Sequence, residues 1–227
     1  MKKITIAIDG FSSTGKSTLA KELAKHLGYA FVDTGAMYRA VTLFALQNKF
    51  INEDFFDQKA LIKSLHNINL EFQFNQELGF AEMFLNGENV EKQIRNIEVS
   101  SYVSQVATVS QVRAKLVEQQ QEMGKNKGIV MDGRDIGTVV FPQAELKLFM
   151  TANAQTRAQR RFDQLQSKGD PVTFDEVFKN IQNRDFIDTT RLDSPLKMAE
   201  DAIEIDNSNL SRKEQYNIVL EIIQELI

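Results

Sequence analysis

Gly10-Phe11-Ser12-Ser13-Thr14-Gly15-Lys16-Ser17 has the spacing G-x-x-x-x-G-K-[ST], that of a loop built to hold phosphate. Its backbone N–H groups can surround a polyphosphate, and the helix that opens behind it adds partial positive charge. Gly10 and Gly15 permit turns that a Cβ would obstruct. Lys16 is placed to reach the β- and γ-phosphates, and the Ser17 hydroxyl to ligate Mg²⁺. With Thr18 behind it, the loop is expected to bind a nucleoside triphosphate, though the motif does not name what receives the phosphoryl group.

Further candidates lie downstream. Asp132-Gly133-Arg134-Asp135-Ile136-Gly137 sets two carboxylates and a guanidinium at the end of an apolar run, an arrangement a surface ion-pair cluster does not explain. Arg157, Arg160 and Arg161 fall at helical spacing, as do Arg184, Asp188 and Arg191. By residue type alone, the first set also reads as a solvated helix face and the second as a salt-bridged helix edge. The chain has 17 Lys and 10 Arg, and seven of those arginines (Arg39, Arg113, Arg134, Arg157, Arg160, Arg184 and Arg191) sit in these or in further site-forming segments. A rigid guanidinium fork matches phosphate oxygens. The base-reading N-K-x-D and the D-x-x-G of GTPase switches are both absent.

The totals narrow the field. At 227 residues the chain suits one α/β domain with an insertion. A net charge of −4 gives no footprint for a nucleic-acid backbone. Cysteine is absent, which excludes a disulfide framework and thiolate metal sites. The short apolar run at the start ends in Asp9, so it reads as a buried strand rather than a signal or membrane span. A cytoplasmic protein is expected.

The elements that must position these residues alternate. Strands are expected at Ile4 to Ile8, Tyr29 to Val32, Gly128 to Asp132, Leu146 to Met150 and Ala202 to Ile205. Helices are expected at Ser17 to Leu27, Gly35 to Gln47, Glu98 to Ala107, Gln111 to Gly124 and Asn153 to Lys168. Capping boxes at Thr173–Glu176 and Ser211–Glu214 open two more. Such alternation implies a parallel sheet with helices on both faces and ligands at the strands' carboxyl ends. Between 66 and 95 the texture changes to period two, with Asn86-Gly87 as a hairpin turn. That is a small antiparallel β insert.

The segment from Asp132 to Pro142 resembles the bacterial cytidylate kinases closely, as do Asp33-Thr34-Gly35-Ala36-Met37-Tyr38-Arg39 and Arg184-Asp185 through Leu196. The likeness runs over essentially the whole chain, and the β insert matches the long form of that P-loop nucleoside-monophosphate kinase family. It implies ATP-dependent phosphorylation of CMP and dCMP with Mg²⁺, by a monomer needing neither nucleic acid nor membrane. It implies a core of about 1–65, 96–152 and 191–227, an acceptor-binding insert of about 66–95, and a lid of about 153–190.

By the same likeness Thr34, Arg113 and Asp135 contact the cytosine, Arg39, Arg134 and Arg184 the monophosphate with Tyr38 beside them, and Asp188 and Arg191 the sugar. Arg157, Arg160 and Arg161 match the lid, and Asp132 a carboxylate that holds metal-bound water. Lys16, Arg134 and Arg184 are the expected catalytic groups. Phe11 stands where the family usually has proline, and Thr34 where it more often has serine.

Overall fold

A computed structural model describes residues 3–226. In chain order the elements are β1 (Thr5–Gly10), α1 (Lys16–Leu27), β2 (Ala30–Asp33), α2 (Thr34–Gln47), α3 (Gln58–Ser64), β3 (Leu70–Asn75), β4 (Phe80–Leu85) and β5 (Glu88–Asn89). Then come α4 (Ile97–Val106), α5 (Ser110–Gly124), β6 (Ile129–Gly133), β7 (Leu146–Thr151), α6 (Ala154–Gln166), α7 (Phe174–Thr190), β8 (Ile203–Asp206) and α8 (Arg212–Leu226). Two compact units result, one of residues up to 33 and from 120 onward, the other Thr34–Gln119.

The first unit carries a five-stranded sheet in the order β2-β6-β1-β7-β8, every pair parallel. All of β1 is buried, as a central strand covered on both faces must be. Ile6, Ile8, Val130 and Leu148 pack with Leu19 and Leu23 of α1 and Val219 and Ile223 of α8. Burying each of these side chains contributes about 1.5–3 kcal/mol. The spacing of Leu19, Leu23 and Ala24 is what turns α1 toward the sheet. Gly28, at φ 66°, ends that helix by returning its N–H to the Ala24 carbonyl.

Helices α6 and α7 are joined through Gly169 at φ 80°. The expected capping box starts α7: Glu176 N–H donates to Thr173 Oγ1, and Thr173 N–H to Glu176. The second box forms likewise at Ser211 and Glu214. Among the described residues, no helix is long and apolar enough to cross a membrane.

The other unit surrounds a three-stranded antiparallel sheet in the order β3-β4-β5. Asn86 (φ 52°) and Gly87 (φ 86°) make the turn between β4 and β5, both in the left-handed region the Asn-Gly pair favours. Met37, Val41, Leu61, Met83, Val99 and Leu116 are among its buried core. Helix α3 was not expected. It has a single buried residue, Leu61, and its start is set by Asp57, which accepts the Ala60 N–H. In seven residues its apolar positions, Ala60 to Ile62, are consecutive and give no period to read.

Candidate active site

The loop after β1 owes its path to two glycines. A Cβ on Gly10 would lie 2.1 Å from the Met150 carbonyl oxygen, so only glycine can turn there while β1 stays paired with β7. Gly15, at φ 95°, caps α1, and its carbonyl accepts from Thr18 and Leu19 N–H. Ser13 holds φ 62°, a conformation rare outside glycine. Lys16 is buried and lies back along its own loop, its Nζ donating to the Phe11 carbonyl at 2.5 Å, where Thr14 Oγ1 also donates. Burial pushes the Lys16 ammonium well below its ordinary pKa. Arg134 adds to that fall, while Asp132 and Asp9 oppose it.

The first turn of α1 meets the end of β6. Ser17 Oγ donates to Asp132 Oδ2 at 2.8 Å. A hydroxyl and one carboxylate are hard oxygen donors, the set a hydrated Mg²⁺ accepts beside phosphate oxygens. Among the described residues no group of three or more His, Asp or Glu could cage a metal.

Helix α7 brings Arg184 and Asp188 inward, with Arg191 at its C-cap, and all three are buried. Arg134, just after β6, donates from Nε to Asp188 Oδ2 at 2.9 Å and from Nη1 to the Gly133 carbonyl. Arg191 Nη1 stands 3.8 Å from Asp188 Oδ1, and its Nε and Nη2 donate to the Ser194 carbonyl. Burial alone would raise the Asp188 carboxyl, but Arg134, Arg184 and Arg191 hold it below the usual range. The result is cationic charge fixed on one buried carboxylate, close enough to Lys16 that Arg134 and Arg184 both act on its pKa. Asp135 follows Arg134 and is also buried.

Thr34, Tyr38, Arg39 and Arg113 belong to the other unit. Thr34 begins α2 and is buried, and Arg39 is half-buried. The Arg113 guanidinium, also buried, lies 5.7 Å from the centroid of the Tyr38 ring. Stacking of that kind fixes the plane of an arginine.

The three arginines of α6 part company. Arg157 is buried against the phosphate loop: it donates to the Ala152 and Ser12 carbonyls and to both oxygens of Asp185, at 3.1 and 2.6 Å. Arg160 donates to Asn207 Oδ1 and to the Asn207 carbonyl, at 3.0 and 2.9 Å. Arg161 donates to Gln164, on the helix itself.

A cavity of 290 Å³ opens beside the loop, lined by Ser13, Gly15, Thr18, Arg160, Arg161, Asn207 and Arg212 among others. Asn207 was not expected from sequence. Its buried amide donates to the Thr14 carbonyl and to Gln215 Oε1, joining the loop to α8. Its position just beyond β8, at a carboxyl strand end, is the signal that would have found it.

The chain also compares directly with known proteins. A family model described as cytidylate kinase matches residues 6–225. The chain is 73% identical over 226 residues to the cytidylate kinase of Flavobacterium psychrophilum, covering 100% of both chains. It is 71% identical to that of Flavobacterium johnsoniae, covering 100% of this chain and 99% of the relative. Among solved structures, an uncharacterized protein from Eubacterium ventriosum aligns with a TM-score of 0.52 at 12% identity, over 99% of each chain, a likeness of fold alone. With a phosphate loop, a neighbouring Ser17–Asp132 pair and an arginine cluster already in place, the match along the whole chain is decisive: this protein belongs to the cytidylate kinase family and is a kinase.

Proposed function

We propose that the protein transfers the γ-phosphoryl group of ATP to CMP and dCMP, giving CDP and dCDP, as a cytoplasmic monomer serving pyrimidine nucleotide metabolism. The observation that carries the reading is the gathering of Lys16, the Ser17–Asp132 pair and the Arg134–Asp188–Arg191 cluster at one end of the parallel sheet.

The loop from Gly10 to Thr18 holds the triphosphate, and the cavity bounded by Arg160 and Asn207 takes the donor's base. Ser17 and Asp132, the latter through water, would hold Mg²⁺, which would supply positive charge to offset that of the β- and γ-phosphate oxygens. Lys16 leaves the Phe11 carbonyl for those oxygens, whose negative charge restores its proton affinity. An oxygen of the CMP phosphate attacks the γ-phosphorus in line as the bond to the β-phosphate oxygen breaks, releasing ADP. That acceptor is already anionic, so no strong base is required, and His26 and His66 stand in no catalytic constellation. Arg39, Arg134 and Arg184 hold the acceptor phosphate, with Tyr38 beside them. Catalysis is then mainly positioning and charge neutralisation.

Thr34, Arg113 and Asp135 read the base. Cytosine offers an amino donor that a carboxylate complements, where uracil would set carbonyl against carboxylate. Asp188 and Arg191 serve the sugar, residues 66–95 help to enclose the acceptor, and the 153–190 segment closes as a lid that excludes water.

A coupled ADP-release assay with Mg²⁺ and ATP, offering CMP, dCMP, UMP, AMP and GMP separately, tests this. Rapid turnover with CMP and dCMP alone is expected. No acceleration by CMP would overturn the acceptor assignment.

A further inference from the structure

Asp9 is buried near the end of β1, in register with Gly133 of β6 and Phe149 of β7. Both of its oxygens serve a single segment. Oδ1 accepts the Ile136 N–H at 2.8 Å and Oδ2 the Gly137 N–H at 2.7 Å. These two amides open the turn Ile136–Val140, a π-helical turn in which Phe141 N–H reaches back to the Ile136 carbonyl at 2.6 Å. The leading N–H groups of any helical turn have no partner within it, and here one carboxylate takes two of them.

The approach is close. A Cβ on Gly137 would lie 3.1 Å from Lys147 Cδ and 3.4 Å from Asp9 Oδ2. Arg134 and Asp135 are the two residues between the end of β6 and this turn. Their backbone is therefore held on one side by the sheet and on the other by Asp9.

A carboxylate is an unfavourable way to make a purely structural link at this depth. Burial pushes Asp9 up to about 7, and Asp135 adds to the rise against the opposing amides and Lys16. An arrangement that keeps a costly buried acid beside a reaction centre points to a use there.

We propose that Asp9 is a positioning residue for acceptor recognition: by taking both amides at the head of the turn, its carboxylate sets where Asp135 and Arg134 present their side chains. This rests on the reading of Asp135 and Arg134 as acceptor-binding groups. The double acceptor is the essential feature. Asparagine would offer one acceptor and one donor, setting its NH₂ against one of the two N–H groups.

The test uses the full-length protein as Asp9→Asn, Asp135→Asn and the double variant, with folding followed by circular dichroism and melting. Asp9→Asn is expected to lower kcat/KM for CMP by about 10- to 100-fold, the effect of a misplaced site, and to shrink the CMP-to-UMP ratio. In the Asp135→Asn background the carboxylate that Asp9 positions is already gone, so adding Asp9→Asn should leave the ratio within about twofold. A merely structural defect would lower turnover with both bases and leave the ratio alone. Amide exchange at Ile136 and Gly137 should quicken in Asp9→Asn.

Should Asp9→Asn fail to fold, Asp9→Glu, which keeps the charge beside Lys16 but displaces the carboxylate by one methylene, must show the same loss of ratio. Parent-like CMP kinetics or an unchanged ratio in the folded variant overturns the proposal. If Asp135→Asn impairs base choice and Asp9→Asn does not, the clamp alone falls. If Asp135→Asn leaves base choice untouched, the base-reading assignment falls with it, while the exchange measurement still decides whether Asp9 holds the turn.

Discussion

The Arg157 guanidinium lies over the Phe11 ring, 5.1 Å from its centroid, while its nitrogens hold Asp185 and the Ser12 carbonyl. Phe11 also meets Phe149 edge-on at 6.2 Å. The phosphate loop is thus braced at Phe11 from outside, by an aromatic ring pinned beneath an arginine. A cation–π contact of this burial is worth about 0.5–2 kcal/mol. Phe11→Ala should therefore raise KM for ATP by about 2- to 30-fold and leave KM for CMP nearly unchanged. Equal effects on both substrates would show that the ring does not serve the donor loop.

The Ser17–Asp132 hydrogen bond predicts a metal phenotype. Asp132→Asn keeps the shape but removes the charge that would hold a metal-bound water. The Mg²⁺ concentration for half-maximal rate should rise by about 10- to 100-fold, as it does when outer partners of a metal are lost. A Mg²⁺ titration at fixed ATP measures it. An unmoved midpoint would remove Asp132 from the metal's surroundings.

Much of this was legible in the sequence, for physical reasons that differ between residues. Gly10 stands where a Cβ would meet the Met150 backbone and Gly15 at φ 95°, where a side chain is strained, so their spacing announces the loop. The Asn86-Gly87 turn and the two capping boxes are local and read directly. What escaped was long-range or without period. Asn207 is one amide whose partners, Thr14 and Gln215, come from distant elements. The turn at Ile136–Val140 has no repeating apolar signature, and Asp9 looked like the end of a strand. Arg157 was legible as an arginine on a helix, but not its engagement with Asp185, because a helix face does not state what it packs against.

Arg134, half-buried, pairs with Asp188, which is buried, so the two halves should fail differently. Arg134→Ala removes charge from the proposed phosphate site and should lower kcat by about 10²- to 10³-fold. Asp188→Ala leaves Arg134, Arg184 and Arg191 without their shared carboxylate. It should destabilise the fold by about 3–5 kcal/mol, the effect of breaking a buried pair from one side. Urea unfolding of both variants separates the cases. The Asp188 carboxyl is depressed in the native state, so its contribution is fully present above its ordinary pKa near 3.8 and is lost as pH falls through the lower native value.

Asp9 has the opposite sign. Its native pKa is about 7 against an ordinary 3.8, so between those pH values the folded protein keeps a proton that the unfolded chain has released. Stability should fall as pH rises from about 4 to 7 and level off above, by no more than about 4 kcal/mol. Asp9→Asn removes that slope. Melting of parent and variant at pH 5 and pH 8 should therefore show the variant gaining relative to the parent at the higher pH. Lys16, which loses a neighbouring charge, reduces the contrast without reversing it.

Base choice supplies the most direct test of Asp135. An ionised carboxylate can only accept hydrogen bonds, so it suits the cytosine amino group and repels the carbonyl that uracil places there. Asn presents either an oxygen or an NH₂ by turning its amide, so it can meet both bases. Asp135→Asn should therefore lower kcat/KM for CMP and raise it for UMP relative to CMP, shrinking their ratio by about 10- to 100-fold. Discrimination based on buried polar groups is large because the wrong partner leaves them unpaired. Steady-state kinetics with the two monophosphates at saturating ATP decides the matter. A ratio equal to the parent's would place base reading with Thr34 and Arg113 alone.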